Sequence, residues 1–255
     1  VFLPELGLWA HLAIAVIFVW SGFVRSGLGF GGAVLSLPFL LLVDNRPLVY
    51  LPIIAVHLLF FSSLTIWHSR AATDIDQRVD WRYLKRALLI MLAPKLLGVF
   101  GLLALPNDVM TAIIFAIVTL YSFSYIFNKP FVSKHPGMDI LLLMLGGYVS
   151  GTSLIGAPLI VAVFAAHVAR TRLRNTLFAL WFILVSIKMA AFIWAEVDLQ
   201  WRQHLWLLPC AAIGHWLGLH AHNKLLQANS QAFYRILGWL LLAVSGVGLG
   251  TFVLA

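Results

Sequence analysis

Ser26-Gly27-Leu28-Gly29-Phe30-Gly31-Gly32-Ala33 interrupts two apolar segments, residues 8–24 and 34–43, and an echo of it returns as Ser150-Gly151-Thr152-Ser153-Leu154-Ile155-Gly156-Ala157. A displacement of 124 residues carries Ser26 onto Ser150, Gly27 onto Gly151, Gly32 onto Gly156 and Ala33 onto Ala157. Gly22 and Leu35 land on Gly146 and Leu159 in the same register. The chain is therefore read as one unit used twice, 1–128 and 129–255, with five hydrophobic segments in each copy. A break in an apolar helix leaves N–H and C=O groups that lipid cannot satisfy, so it persists only where it faces protein or a wet cavity. Repeated breaks of this kind mark the binding regions of transporters built from internal repeats.

Working outward, the rest of the chain is equally apolar. It is 62% hydrophobic and 10% charged, with a mean hydropathy of +0.97; soluble domains carry roughly 45–50% apolar residues. The expected fold class is all-α, a polytopic membrane protein of about ten helical segments in two inverted repeats, each opening with two short helices around the Gly/Ser-rich break. The remaining segments are 48–67, 84–105 and 109–127 in the first copy, then 140–149, 158–168, 176–195, 205–220 and 233–254 in the second. Each copy makes five crossings, or three crossings and a re-entrant hairpin, and either odd count turns the second copy upside down relative to the first.

Loop charges orient the chain. With the N-terminus outside, inside loops hold Arg70, Arg78, Arg82, Lys85, Arg86, Lys129, Lys134, Arg170, Arg172, Arg174 and Lys224, while outside loops hold only Arg46 and Arg202. The positive-inside rule then places both termini on the extracytoplasmic side of the cell inner membrane. The same distribution accounts for the net charge of +8, so no nucleic-acid partner is inferred; the lipid bilayer is the expected surroundings. Trp9, Trp67, Trp81 and Trp201 sit at segment ends, as interfacial aromatic belts do. Cys210, the single cysteine, lies in an apolar run and reads as a packing residue. The start of the chain lacks a basic n-region, so its first segment is expected to be a retained helix and not a signal peptide.

Three groups of residues carry candidate chemistry. The glycines Gly27, Gly29, Gly31 and Gly32 leave backbone N–H groups uncovered before the helix expected from Val34, an anion-binding arrangement, or else they serve close helix packing. Ser26 belongs to the same stretch, and Ser150, Gly151, Thr152, Ser153 and Gly156 would add hydroxyl donors from the second copy. Gly27-x-Gly29-x-x-Gly32 also matches a dinucleotide fingerprint formally, but it lacks the strand, amphipathic helix and downstream acid that motif requires.

Lys95 and Lys188 fall inside apolar runs, and every acidic residue lies in a loop or at a segment end. An intramembrane cation without a carboxylate points to an anionic substrate, against the alternative of a long stem snorkelling to the interface. Arg25 is either part of that site or an interfacial anchor. His57 and His215, mid-segment, are candidates for a proton relay, against simple packing. Fourth helices are matched through Pro94, Gly98 and Gly101 against Pro209, Gly214 and Gly218.

Ser26-Gly27-Leu28-Gly29-Phe30-Gly31-Gly32 followed by Pro38, with Ser150-Gly151 and Gly156, in a chain of this length and hydropathy, resembles the sulfite exporter TauE/SafE family of bacterial membrane transporters. The resemblance covers nearly the whole chain. It implies movement of small sulfur-containing anions, sulfite or organosulfonates, usually outward. The family motif carries three successive glycines in each copy; here the copies read Gly31-Gly32-Ala33 and Ile155-Gly156-Ala157.

The expectation is thus a secondary transporter of a small sulfur-containing anion, exporting by alternating access, with the two breaks meeting near the bilayer centre. A small-anion channel and a membrane assembly protein are the alternatives. Paired carboxylates, metal-spaced histidines and an ATP-binding motif are missing from the sequence, so no enzyme, metal or cofactor is expected. Homo-oligomerisation is left open.

Overall fold

The computed structural model describes residues 6–28, 32–71, 78–129, 131, 133, 135–227 and 230–254. Among the described residues the chain is helical, with no strand, in the order α1 (Leu8–Leu28), α2 (Leu37–Val43), α3 (Pro47–Ala71), α4 (Trp81–Ala104), α5 (Asn107–Ile126), α6 (Pro136–Ser153), α7 (Ala157–His167), α8 (Arg170–Trp194), α9 (Trp201–Gln227) and α10 (Ser230–Leu254). In α1, α3, α4, α5 and α8 the apolar stretch is long enough to cross a membrane. The exposed faces are apolar: Leu89, Leu97 and Phe100 of α4 are 78%, 66% and 70% exposed, as lipid contact requires. Trp9, Trp67, Trp81 and Trp201 are all exposed near helix ends.

The breaks fall later than the glycine pattern suggests. α1 runs through Arg25, Ser26 and Gly27 to Leu28, and α6 runs through Ser150–Ser153, past the expected ends at residues 24 and 149. A glycine costs a helix about 1 kcal/mol relative to alanine, and the packing of each helix along a partner outweighs it. α6 stops at Leu154, whose φ of 61° is left-handed and whose N–H bonds back to Ser150 O at 3.3 Å.

The helix expected from Val34 starts instead at Leu37, with Pro38 in its first turn. Ser36 precedes it, but the Ser36 hydroxyl donates backwards to Gly32 O at 2.6 Å instead of accepting from a helix N–H. α2 has only seven residues, about 10 Å of helix. α7 has eleven residues, or about 16 Å. Both fall short of the roughly 30 Å hydrocarbon core, so neither crosses alone.

The helices form two compact units, each drawing on both halves of the chain. The first comprises Val1–Ile53, Leu105–Pro130 and Asp198–Ala255, and the second Ile54–Ala104 and Phe131–Val197. In the first unit α1 lies along α9, α10 packs on α5, and α2 fits against α1, α5 and α10. In the second, α4 lies along α6, and α7 packs against α6 and α8. The dominant pairing therefore recurs: the first helix of one repeat lies on the fourth helix of the other.

Small residues make that pairing close. A Cβ on Gly214 would stand 1.8 Å from Val19 O, and one on Gly22 would stand 2.1 Å from Ala211 O. In the second unit a Cβ on Gly98 would reach Tyr148 O at 2.2 Å, and one on Gly151 would reach Lys95 O at 2.4 Å. Gly101, matched above with Gly218, has open space around it. The register of the fourth helices is thus corrected: it is Gly98 and Gly218 that meet the residues around Gly151 and Gly27 respectively.

Candidate functional site

Lys95, Lys188, Ser150, Gly151, Thr152, Ser153 and Gly156 all belong to the second unit, and all are buried. Gly151 lets α4 and α6 touch, and one residue before it Ser150 meets the end of the Lys95 side chain. Lys95 Nζ donates to Ser150 O at 2.9 Å and to Ser150 Oγ at 3.0 Å. An ammonium has three protons, so one remains, and because Ser150 Oγ is the acceptor its own hydroxyl proton is free to face a ligand. Ser150 O also accepts the Leu154 N–H, which locks the end of α6 to the lysine.

Lys188 on α8 is fully buried, and its Nζ has no hydrogen-bond partner among the described residues. It lies 5.6 Å from the centre of the buried Phe192 ring. Lys95 is buried in the same unit, and neither lysine makes an ion pair among the described residues. Asp139 Oδ2 and His167 Nε2 share a hydrogen bond at 2.8 Å. Complete burial removes snorkelling as the account of Lys188.

Thr152 and Ser153 are arranged differently from expectation. Both hydroxyls donate to Val149 O at 3.0 Å, so in this conformation they present lone pairs, not protons. Gly156 packs on the Gly146 carbonyl, where a Cβ would stand 2.3 Å away. His57 is buried on the part of α3 belonging to this unit.

The first unit holds Arg25, Ser26, Gly27, Gly32 and His215; Gly29 and Gly31 lie outside the described residues. Arg25 is 4% exposed in the last turn of α1, where helix carbonyls gather partial negative charge, so it is not a water-facing anchor. A Cβ on Gly32 would stand 3.1 Å from Arg25 Cβ, and Gly32 O accepts from both Ser21 and Ser36. Ser26 Oγ and His215 Nδ1 share a short hydrogen bond. α2 begins at Leu37, three residues beyond the start expected at Val34.

A separate cavity of about 250 Å³ in the second unit is bounded by Tyr83, Arg86, Ile90, Asp139, Leu143 and His167. It sits at the first turns of α4 and α6, about two and a half helical turns before Lys95. Sequence reasoning missed Phe192 beneath Lys188 and the pairing of Ser150 with Lys95; only the latter had a signal, the glycine following Ser150 and the glycine three residues after Lys95.

A polytopic helical protein with buried, carboxylate-free lysines has the build of a membrane transporter. The chain belongs to the sulfite exporter TauE/SafE family, whose model matches residues 13–248. It is accordingly a transporter of the sulfur-anion class and not an enzyme. No curated protein and no solved structure matches the chain.

Proposed function

We propose that the chain exports a small sulfur oxoanion, sulfite or an organosulfonate, across the inner membrane by alternating access, and that Lys95 and Lys188 hold the anion. The single observation that carries this reading is Lys188: a fully buried side-chain amine with no hydrogen-bond partner among the described residues, in the same unit as a second buried lysine. A cation at membrane depth costs about 2.5–3.5 kcal/mol on insertion scales. A tetrahedral oxoanion offsets that cost by accepting from Lys188 Nζ, from the third proton of Lys95 and from the Ser150 hydroxyl.

Arg25, Ser26, Gly27 and Gly32 supply the corresponding group in the first repeat. The shared first-on-fourth helix pairing supports two inverted repeats, and the loop charges support extracytoplasmic termini. Export of a monoanion from an inside-negative cell gains about 2.3 kcal/mol per 100 mV.

The test is thermal unfolding of the purified chain in detergent with sulfite, sulfate, thiosulfate, sulfonates, carboxylates and chloride. A ligand at about a hundred times its Kd stabilises the folded state by about 2.7 kcal/mol. Sulfur anions are expected to raise the midpoint more than chloride or carboxylates do, and Lys188→Met is expected to abolish that shift. A variant shift equal to that of the wild type, or no response to any sulfur anion, overturns the reading.

A further inference from the structure

The two units place a basic residue in the same structural position but give it different chemistry. Ser150 and Ser26 are equivalent in the sequence repeat, and each is followed by a glycine. Each also bonds to a basic residue on the partnering fourth helix, Lys95 for Ser150 and His215 for Ser26. That basic residue is followed three positions later by the glycine on which the serine segment rests. A Cβ on Gly98 would meet Gly151 Cα at 3.0 Å and Thr152 N at 3.1 Å; one on Gly218 would meet Gly27 N and Ser26 Cβ, both at 3.0 Å. His215 therefore occupies in the first unit the place that Lys95 occupies in the second.

We propose that Ser26 and His215 form a proton-linked anion-binding pair, which holds a sulfonate or sulfur oxoanion only when the His215 imidazole is protonated. This rests on the transporter reading above and adds a residue role to it. With neutral imidazole the Ser26 hydroxyl donates to Nδ1, and the pair offers an anion little. When a proton binds, Nδ1–H donates to Ser26 Oγ, the serine proton is released towards a ligand, and the pair carries a positive charge. That is the arrangement Lys95 and Ser150 show in the second unit. Protonation thus reverses one hydrogen bond and creates both a charge and a donor.

α1 and α10 are the helices that pack on α9. The ionisable groups they contribute are His11 and Arg25 on α1 and Tyr234 and Arg235 on α10; α9 itself carries Arg202, His204, Cys210, His220, His222 and Lys224. His11 rests against Trp206, at the other end of α9 from Ser26. Arg25, next to Ser26 in the chain, is the constant charge nearest the pair in sequence and acts against protonation, so the anion itself is what makes the imidazolium favourable. The sign follows: the anion raises the imidazole pKa, binding takes up a proton, and affinity rises as pH falls through the histidine range.

The experiment measures Kd for methanesulfonate and for sulfate, whose charges are constant over the range, by calorimetry on the detergent-purified full chain between about pH 5 and pH 8, where histidine titrates. Wild-type affinity is expected to strengthen on acidification, by up to about tenfold per pH unit between the free and bound pKa values. His215→Lys should bind with the acid-limit affinity at every pH, and His215→Gln with the weak alkaline-limit affinity at every pH. Ser26→Ala, the smallest change, should lower the acid-limit affinity while keeping the slope.

A wild-type slope that survives in both His215 variants overturns the proposal and leaves the lysine reading standing. Loss of the slope in His215→Gln together with unchanged binding in Lys188→Met supports this pair and removes the lysines. Absence of binding to the wild type at any pH overturns both.

Discussion

The α1/α9 pair and the α6/α4 pair are built on one plan from different residues. In both, a serine followed by glycine lies against a glycine of the partner helix, three residues beyond the basic group that the serine contacts. In the second unit that group is Lys95, fully buried and held by two hydrogen bonds to Ser150. In the first it is His215, half-buried, on the short bond to Ser26. The backbone contact tolerates no extra atom, whereas the basic position accepts either a lysine or a histidine. Close packing sets the geometry of such a site, and its charge can then vary independently.

The comparison breaks most severely at the contact itself. Gly214→Val and Gly151→Val each force a side chain into a backbone carbonyl, and each should abolish the monodisperse folded peak in detergent size-exclusion chromatography. Gly101→Ala, with open space around it, should leave the peak intact and gain up to about 1 kcal/mol from helix propensity. Equal behaviour of Gly101 and Gly214 variants would remove the close approach as the organising contact.

Next in size is Lys188→Met. Binding of the sulfur anion should weaken by more than tenfold, while the ligand-free protein gains stability on the order of 1 kcal/mol, because a buried uncompensated cation is replaced by an apolar chain of similar length. Calorimetric affinity and the ligand-free unfolding midpoint should therefore move in opposite directions. A fall in both would make Lys188 structural.

Ser150→Ala removes one of two acceptors from Lys95 and should cost about 0.5–1.5 kcal/mol of stability, with a several-fold loss of anion affinity. Set beside Ser26→Ala, which should lower the acid-limit affinity, it separates the contribution of the lysine pair from that of the histidine pair. The smallest effect belongs to Asp139→Asn. The Asp139–His167 pair is partly exposed, and such pairs contribute about 0–1 kcal/mol, so the midpoint should barely move.

Much of this protein was legible in its residues. Hydropathy identified a helical membrane protein, the Ser-Gly echo pointed to two copies of one unit, and the lack of nearby carboxylates singled out Lys95 and Lys188 as candidates. Helix ends were less legible. Serine and glycine read as breakers from local propensity, yet α1 and α6 continue through them because the same small residues permit a partner helix to approach. The fourth-helix register was misread for a related reason: Pro94 and Pro209 are conspicuous in the sequence, but the contacts are made by Gly98 and Gly218.

By itself the sequence determined the solvent, the helical class, the repeated motif and the presence of unpaired cations, since these depend on composition and on spacing along the chain. Only the tertiary structure decided that each compact unit combines helices from both halves of the chain, and that His215 meets Ser26 as Lys95 meets Ser150. Those facts depend on which helix lies on which and in what register, and that is set by contacts between residues far apart in the chain, to which local propensity is blind.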